Sequence, residues 1–221
     1  MEDSKIFAKV DHTLLAATAT WEDIANLCDE AIQYGCASVC IPPAFVKDVR
    51  EAYPALNICT VIGFPLGYNT AYIKLREATQ ALEDGASELD VVINIGDAKD
   101  GKFEKITSEL TALKRATGNN ILKVIIECCY LTDDEKIALC KCVTDSGADY
   151  IKTSTGFGTG GATVSDIKLF KAHVGPHVKI KAAGGMRTRD DFIAFINEGC
   201  SRLGTSSAVK VLTGATSQGA Y

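Results

Sequence analysis

The stretch Gly147-Ala-Asp-Tyr-Ile151 has the pattern of a glycine that ends a helix, followed by a small residue and the start of a β-strand. The same arrangement occurs at Gly35-Cys-Ala-Ser-Val39, Gly85-Ala-Ser-Glu-Leu89 and Gly199-Cys-Ser-Arg-Leu203. Successive glycines are 50, 62 and 52 residues apart. Each interval holds about two strand-and-helix units, and a chain that alternates in this way is predicted to form a parallel sheet.

Eight candidate strands follow one another along the chain, centred near residues 8, 39, 60, 90, 124, 151, 180 and 203. Between them, Thr20-Trp-Glu-Asp23 and Thr132-Asp-Asp-Glu135 resemble the capping boxes that begin helices. Eight strands favour a closed (β/α)8 TIM barrel over an open doubly wound sheet, and no dinucleotide-binding motif follows the first strand. We therefore expect one α/β domain over residues 1–221, with 214–221 as a flexible C-terminal tail.

The composition argues against several classes of protein. The net charge of -5 disfavours nucleic acid or an anionic membrane as the main partner. No apolar run approaches the roughly 20 residues of a membrane helix, and the first residues lack the pattern of a signal peptide. The nine cysteines include no C-x-x-C pair, so zinc binding is not expected. Unpaired cysteines among apolar neighbours are typical of a reducing compartment, and we therefore expect a cytoplasmic location.

Two lysines stand out because each lies in a predicted strand that leads into a glycine-rich turn. Lys152 precedes the glycines of 156–161, and Lys181 precedes Gly184 and Gly185. Two ammonium groups held together away from water favour loss of one proton, which leaves a nucleophilic amine. The pattern indicates a Schiff-base enzyme, although a surface lysine at a strand end would explain Lys152 alone equally well.

Strand periodicity separates charged residues from apolar ones. The charged residues fall on the face that should line the barrel lumen: Glu88, Asp90, Lys123, Glu127, Lys179 and Lys181. We expect Lys123, Lys152 and Lys181 to pair with Asp90 and Glu127, with a modest positive excess. Structural pairing alone is the favoured explanation for Lys123, Glu88 and Lys179, and Lys179 should lie lower in the barrel than Lys181.

The turns after the seventh and eighth strands are where this fold usually binds phosphate. Here they contain Gly184-Gly185-Met186-Arg187 and Gly204-Thr205-Ser206-Ser207, with unobstructed backbone N–H groups before a helix. Plain glycine turns are the simpler explanation of each segment alone. Together with the glycines of 156–161, they predict a phosphate site.

Several segments resemble the deoxyribose-phosphate aldolase family, and the resemblance spans the chain. They are Val10-Asp-His-Thr-Leu-Leu15, Ser38-Val-Cys-Ile41, Val61-Ile-Gly-Phe-Pro-Leu-Gly67, Glu88-Leu-Asp-Val-Val-Ile-Asn94, Lys123-Val-Ile-Ile-Glu127, Tyr150-Ile-Lys-Thr-Ser-Thr-Gly156 and Lys181-Ala-Ala-Gly-Gly185. Members are class I aldolases that reversibly cleave 2-deoxy-D-ribose 5-phosphate to D-glyceraldehyde 3-phosphate and acetaldehyde.

The resemblance implies specific roles. Lys152 would form the imine, Lys181 would be the neighbouring cation, and Asp90 would transfer protons with Lys181. Tyr221 would assist proton transfer, although a disordered chain end accounts for it equally well. No metal or organic cofactor is implied. The implied partners are a sugar phosphate and an aldehyde, and a homodimer is common in the family.

The resemblance also implies substrate and phosphate contacts, with Asp11 and Lys123 in support. The contact residues are Thr13, Cys40, Thr153, Gly156, Gly184, Gly185, Arg187, Gly204, Ser206 and Ser207. For Cys40, a core thiol is the favoured role. Longer family members have a lysine where this chain has Phe157, so phosphate binding should depend on backbone amides, Ser206 and Ser207, with Arg187 as a further candidate.

Two other functions remain open from the residues alone. A sugar-phosphate isomerase or epimerase on the same barrel would use carboxylates such as Asp11 and Glu127, with or without a metal. A non-catalytic sugar-phosphate-binding barrel would bind the same ligand without releasing acetaldehyde.

Overall fold

The computed structural model describes residues 1–214, which form a closed barrel of eight parallel strands. The strands are β1 (Val10–Thr13), β2 (Ser38–Ile41), β3 (Ile58–Ile62), β4 (Glu88–Val92), β5 (Ile121–Ile125), β6 (Tyr150–Lys152), β7 (Lys179–Ala183) and β8 (Arg202–Thr205). Each strand pairs with the next, and β8 closes the barrel by pairing with β1. The predicted (β/α)8 barrel is therefore confirmed.

Helices surround the barrel. They are α1 (Asp3–Phe7), α2 (Trp21–Tyr34), α3 (Val46–Ala52), α4 (Ala71–Glu83), α5 (Ile95–Lys99), α6 (Phe103–Thr117), α7 (Asp133–Ser146), α8 (Val164–His173), α9 (Arg189–Glu198) and α10 (Ala208–Thr213), with 3-10 turns at Pro43–Phe45 and Cys128–Tyr130. Both predicted capping boxes are present, at Thr20 and Thr132. Gly35 and Gly147 end their helices at φ values of 68° and 77°, where glycine is favoured.

The start of the chain differs from the prediction. A strand was expected near residue 8, but residues 3–7 form α1 and β1 begins at Val10. Adjacent Ile6 and Phe7 are both buried in the main core, and the Phe7 ring stacks on Tyr34. A strand would send these two side chains to opposite faces, whereas one helical turn lets both join the core.

The apolar core lies between the strands and the helices, and it contains outward-facing strand residues such as Leu89, Val91 and Ile151. The lumen instead holds fully buried charges, including those of Asp90, Lys123 and Lys181. Strand periodicity therefore placed these charges correctly. Within residues 1–214, no helix combines the length and the apolar character needed to cross a membrane.

Lys179 was expected to line the lower lumen as part of an ion pair, and this prediction was wrong. It is exposed at the first position of β7, and its ammonium lies 5.8 Å from the centre of the Tyr150 ring. Among residues 1–214 it forms no ion pair with a carboxylate, because this end of β7 opens to water. Lys179 therefore lies far from the carboxyl ends of the strands, as expected.

Candidate active site

Three lysines converge on one carboxylate inside the barrel. Lys152, the last residue of β6, donates to Oδ2 of Asp90 at 2.8 Å, and Lys181 donates to the same oxygen at 2.7 Å. Lys123 donates to Oδ1 of Asp90 at 2.8 Å. Strand register explains this convergence, since Lys152 pairs with Lys181 across β6 and β7, and Asp90 pairs with Lys123 across β4 and β5. The two lysines that stood out in the sequence are neighbours across a single oxygen atom.

Asp90 holds this group of lysines together as an ionised carboxylate. Burial alone would raise its pKa, but the charges of Lys123, Lys152 and Lys181 hold that pKa well below the usual range. The Cys59 thiol adds a hydrogen bond to Oδ1 at 3.2 Å. Asp90 is therefore a charged acceptor at neutral pH.

A second layer of charges supports the first. Arg202 of β8 donates to both oxygens of Glu88, at 3.0 and 2.8 Å, and also to Asp11. Asp11 forms an ion pair with Lys181. Burial disfavours the charged form of Lys181, but Asp11 and Asp90 outweigh burial and raise the Lys181 pKa above its usual value. Lys181 is therefore a cation beside Lys152 at neutral pH.

The cluster of buried ionisable groups contains one more cationic side chain than carboxylates. Its members are the cations Lys123, Lys152, Lys181 and Arg202 and the carboxylates Asp11, Glu88 and Asp90. Within residues 1–214, Lys152 contacts one carboxylate, whereas Lys181 contacts two and Lys123 contacts three. Neutralising Lys152 therefore breaks the fewest ion pairs, and Lys123 has the structural pairing predicted for it.

Glu127 was expected to pair with the lysines, but it forms no ion pair with them in the described chain. Its carboxylate accepts from the backbone N–H of Thr155 at 3.1 Å and from the Thr155 hydroxyl. The reason is its backbone, because β5 ends at Ile125 and Glu127 has a φ of 54°, so strand alternation no longer sets the direction of its side chain. Burial raises the Glu127 pKa, against the opposing hydrogen bonds from Thr155. Glu127 therefore anchors the turn that follows Lys152.

The predicted phosphate-binding turns line a single cavity of about 570 Å³ at the carboxyl ends of the strands. Its lining residues are Gly156, Gly184, Gly185, Met186, Arg187, Thr205, Ser206, Ser207, Lys210 and Val211. The turns after β6 and β7 pack tightly, since a Cβ on Gly161 would lie 2.5 Å from the Gly184 backbone. The structure thus brings together the glycines, the serines and Arg187 of the predicted site.

The remaining predicted contacts lie in the barrel wall. Thr13 donates to the backbone carbonyl of Asp11 at 2.7 Å, and the Thr153 hydroxyl joins the N–H and carbonyl of Ala183 at 3.1 and 3.3 Å. Gly204 packs against Lys181, where a Cβ would lie 3.0 Å from Cε. Cys40 is buried in a small apolar cluster with Leu15, Cys59 and Val61. Tyr221 lies outside the described residues.

Ligand atoms of Cys40, Cys59 and Asp90 lie within 4.8 Å of one another, close enough to share a metal ion. Both Asp90 oxygens already accept hydrogen bonds from lysine ammonium groups. A divalent cation would compete with these charges and be repelled by them. The donor set is therefore poorly suited to a metal ion.

A larger groove, of about 720 Å³, lies on the outer surface between α6 and α7. Its lining includes Thr107, Thr111 and Cys142 but none of the buried lysines. The lysine cluster and the glycine-lined cavity therefore define the candidate active site.

Comparison with known proteins agrees with this geometry. The DeoC family, described as "DeoC/LacD family aldolase", matches residues 5–217. The chain belongs to the DeoC/LacD aldolase family. The deoxyribose-phosphate aldolase of Clostridium botulinum (strain Alaska E43 / Type E3) is 60% identical over 220 residues, which cover 99% of this chain and 100% of that protein.

Two further DeoC/LacD relatives extend the match. The deoxyribose-phosphate aldolase of Clostridioides difficile (strain 630) is 57% identical over 208 residues, which cover 94% of this chain and 95% of that protein. The tetrameric deoxyribose phosphate aldolase of Aeropyrum pernix has a solved structure that superposes with a TM-score of 0.87 at 32% identity. That superposition covers 96% of this chain and 91% of the Aeropyrum chain. The family resemblance seen in the sequence is confirmed.

Sequence reasoning missed two residues of this DeoC/LacD site, and both had a detectable signal. Arg202 lies two positions before Gly204 on β8, so strand periodicity places both on the lumen face. Lys210 follows Ser207 by three residues, which is about one helical turn, and it lines the same cavity. Arg202 is therefore marked by strand periodicity, and Lys210 by its position on the helix that follows β8.

Proposed function

We propose that the chain is a lyase, a class I aldolase that reversibly cleaves 2-deoxy-D-ribose 5-phosphate to D-glyceraldehyde 3-phosphate and acetaldehyde. Lys152 forms the imine. The observation that carries this proposal is the shared carboxylate oxygen, because Lys152 and the cationic Lys181 both donate to Oδ2 of Asp90. Full-length relatives at 60% and 57% identity carry the deoxyribose-phosphate aldolase name.

The proposed cleavage begins when neutral Lys152 Nζ attacks the aldehyde carbon of the open-chain sugar. Loss of water gives an iminium ion, which acts as an electron sink. The hydroxyl on the third sugar carbon loses its proton, and the bond between the second and third carbons breaks. D-glyceraldehyde 3-phosphate leaves, and the bonding electrons enter an enamine on Lys152. The iminium supplies the electron sink, so this mechanism requires neither a metal nor an organic cofactor.

Completion of the cycle needs a proton on the enamine carbon and a water molecule at the iminium. We assign the proton transfers to Asp90 and Lys181, which are joined by a 2.7 Å hydrogen bond beside Lys152. Protonation regenerates an iminium, and its hydrolysis releases acetaldehyde and the free amine. Tyr221 remains a candidate for assisting this proton transfer.

The phosphate group is proposed to bind in the glycine-lined cavity. Backbone N–H groups of Gly156, Gly184 and Gly185 and the hydroxyls of Ser206 and Ser207 are suitable donors, and Arg187 adds a positive charge. The sugar then lies between this cavity and Lys152, with Thr13, Cys40, Thr153 and Gly204 forming the surrounding wall.

We further propose a cytoplasmic homodimer that acts in deoxyribonucleotide catabolism. All nine cysteines are free thiols, which supports a reducing compartment. The side chains of Tyr68 and Tyr72 are 68% and 69% exposed near the mouth of the barrel, and such apolar surface suits a subunit contact. Sedimentation equilibrium tests the homodimer, and a monomer at micromolar concentration would refute it.

Two measurements test the proposed reaction. Purified protein given 2-deoxy-D-ribose 5-phosphate should release acetaldehyde, detected with alcohol dehydrogenase and NADH, whether or not a chelator is present. Borohydride added with acetaldehyde should leave an ethyl group on Lys152, located by peptide mass spectrometry. Binding without acetaldehyde would indicate a non-catalytic barrel, and a chelator-sensitive ketose or epimer product would indicate an isomerase or epimerase.

A further inference from the structure

The cationic residues of the glycine-lined cavity follow β7 and β8, and none lies in the turn after β6. The turn between β6 and α8, residues 153–163, contains no charged residue, and its Phe157 packs edge-on against Phe64 with ring centres 5.3 Å apart. The cationic residues that line the cavity are Arg187, after β7, and Lys210, on α10. Among the lining residues, a counter-charge for a bound anion therefore comes from these two side chains.

The two cations differ in how far they are already neutralised. Arg187 lies beside Asp191, whose carboxylate accepts from the Arg187 backbone N–H at 2.9 Å. The Arg187 charge also contributes to lowering the Asp191 pKa, after the hydrogen bonds from Arg187 and Thr188. Lys210 is exposed, and among residues 1–214 it forms no ion pair with a carboxylate. Among residues 1–214 the Arg187 guanidinium also forms no ion pair, but its charge acts on the neighbouring Asp191, so Lys210 is the less compensated of the two cations.

A phosphate monoester carries nearly two negative charges at neutral pH. The glycine N–H groups and the Ser206 and Ser207 hydroxyls supply hydrogen-bond geometry but no net charge, and a lysine is a suitable point charge for phosphate. We infer that Lys210 binds the substrate phosphate and sets the preference for phosphorylated over unphosphorylated sugar. This inference rests on the proposed function and adds a residue that neither the strand pattern nor the glycine turns indicate.

The test compares Lys210→Gln and Lys210→Arg with a matched control, Lys179→Gln. Lys179 is also an exposed lysine without a carboxylate partner in the described chain, but it lies at the opposite end of the barrel. Each protein is assayed on 2-deoxy-D-ribose 5-phosphate and on 2-deoxy-D-ribose. Because the substitution removes a charged hydrogen bond, Lys210→Gln should lower kcat/KM for the phosphorylated sugar by about tenfold, mainly through KM.

The ratio of the two substrates separates a binding role from a structural one. Lys210→Gln should leave kcat/KM for 2-deoxy-D-ribose unchanged, and Lys210→Arg and Lys179→Gln should match the wild type on both sugars. Equal losses on both substrates, or no loss on the phosphorylated one, would overturn the inference. Circular dichroism establishes that each variant is folded.

A binding measurement keeps this inference separate from the proposed reaction. Inorganic phosphate is titrated into the wild type and the same variants by calorimetry, which requires no turnover. Weaker binding to Lys210→Gln than to Lys179→Gln supports the role of Lys210 even if the wild type releases no acetaldehyde, a result that would refute only the aldolase proposal. Equal phosphate affinities would refute the role of Lys210.

Discussion

Lys152 Nζ lies 2.8 Å from Oδ2 of Asp90, and this is the one carboxylate contact of Lys152 among residues 1–214. The neighbouring buried lysines have more such contacts, so the amine at the mouth of the barrel is also the least restrained. Asp90 therefore positions the nucleophile without surrounding it with negative charge. The chemistry and the stability of the barrel both depend on this carboxylate.

Replacement of Lys152 by leucine should abolish turnover, because no other amine of the cluster can replace it. Lys181 is held by Asp11 and Asp90, and Lys123 lies deeper with three carboxylates. Borohydride with acetaldehyde should then leave the variant without an ethyl group in the active site. Lys179→Leu is the control and should retain wild-type turnover. Full activity of Lys152→Leu would contradict the assigned nucleophile.

Asp90→Asn should slow turnover by about 100- to 10,000-fold, the usual contribution of a positioned proton-transfer group. The amide keeps the size of the side chain but cannot accept protons as a carboxylate does. Steady-state assays of acetaldehyde release give kcat. The slow variant should still form some imine with acetaldehyde, so borohydride labelling of Lys152 distinguishes lost proton transfer from lost folding. A rate within twofold of the wild type would exclude Asp90 from catalysis.

Stability should depend on pH through the same carboxylate. Folding lowers the Asp90 pKa well below its usual value, so its stabilisation is present above the unfolded-state pKa of about 3.9 and declines as the pH falls below it. Near pH 7, Asp90→Asn should cost roughly 3–5 kcal/mol, because buried ammonium groups lose a partner. Near pH 3 the difference in urea unfolding should be smaller. A difference that grew on acidification would contradict this assignment.

The barrel was predictable because its signals are local and repeated. Gly35 and Gly147 end helices, Thr20 and Thr132 begin them, and strand periodicity sends Asp90 into the lumen. These features depend on a few neighbouring residues, so the sequence carries them directly.

The site features that could not be predicted from the sequence depend on contacts between distant segments or on exceptions to strand periodicity. The Arg202 bond to Glu88 joins residues 114 positions apart, and the short helix α10 carries Lys210 into a cavity formed by other strands. The sequence alternation assigns Glu127 to the lumen face, yet its backbone is left-handed and its carboxylate accepts a hydrogen bond from Thr155. No local pattern in the sequence shows that β5 ends at Ile125, two residues before Glu127.

Gly204→Ala should reduce activity through Lys181. The added Cβ would lie 3.0 Å from Lys181 Cε and 3.2 Å from the Ala183 Cβ, tighter than ordinary contacts. Lys181 cannot easily move aside because Asp11 and Asp90 hold its ammonium. We expect a stability loss of roughly 1–3 kcal/mol from overpacking, together with a lower kcat. Gly101→Ala has open space around its added Cβ but also a positive φ, so it measures backbone strain alone and should keep the wild-type kcat.

Lys74 on α4 is fully buried although it takes no part in the proposed chemistry. Its ammonium donates to the Val92 carbonyl at 2.9 Å and to Glu109 of α6 at 2.7 Å, so it ties α4 to the end of β4 and to α6. Lys74→Met keeps the chain length but leaves Glu109 without this partner. Because the Glu109 side chain is only 11% exposed, we expect a loss of roughly 3–5 kcal/mol in the free energy of unfolding.

Lys141→Met is the matched control for that loss. Lys141 forms an ion pair of similar length, 2.6 Å, with Asp145, but the two side chains are 76% and 46% exposed, and pairs exposed on both sides contribute little to stability. Urea unfolding followed by circular dichroism compares the two variants. If burial sets the cost, Lys74→Met should be much less stable than Lys141→Met, and adding Glu109→Gln to Lys74→Met should restore part of the loss because it removes the unpaired charge. Equal losses in the two single variants would show that the buried pair stabilises the barrel no more than a surface contact does.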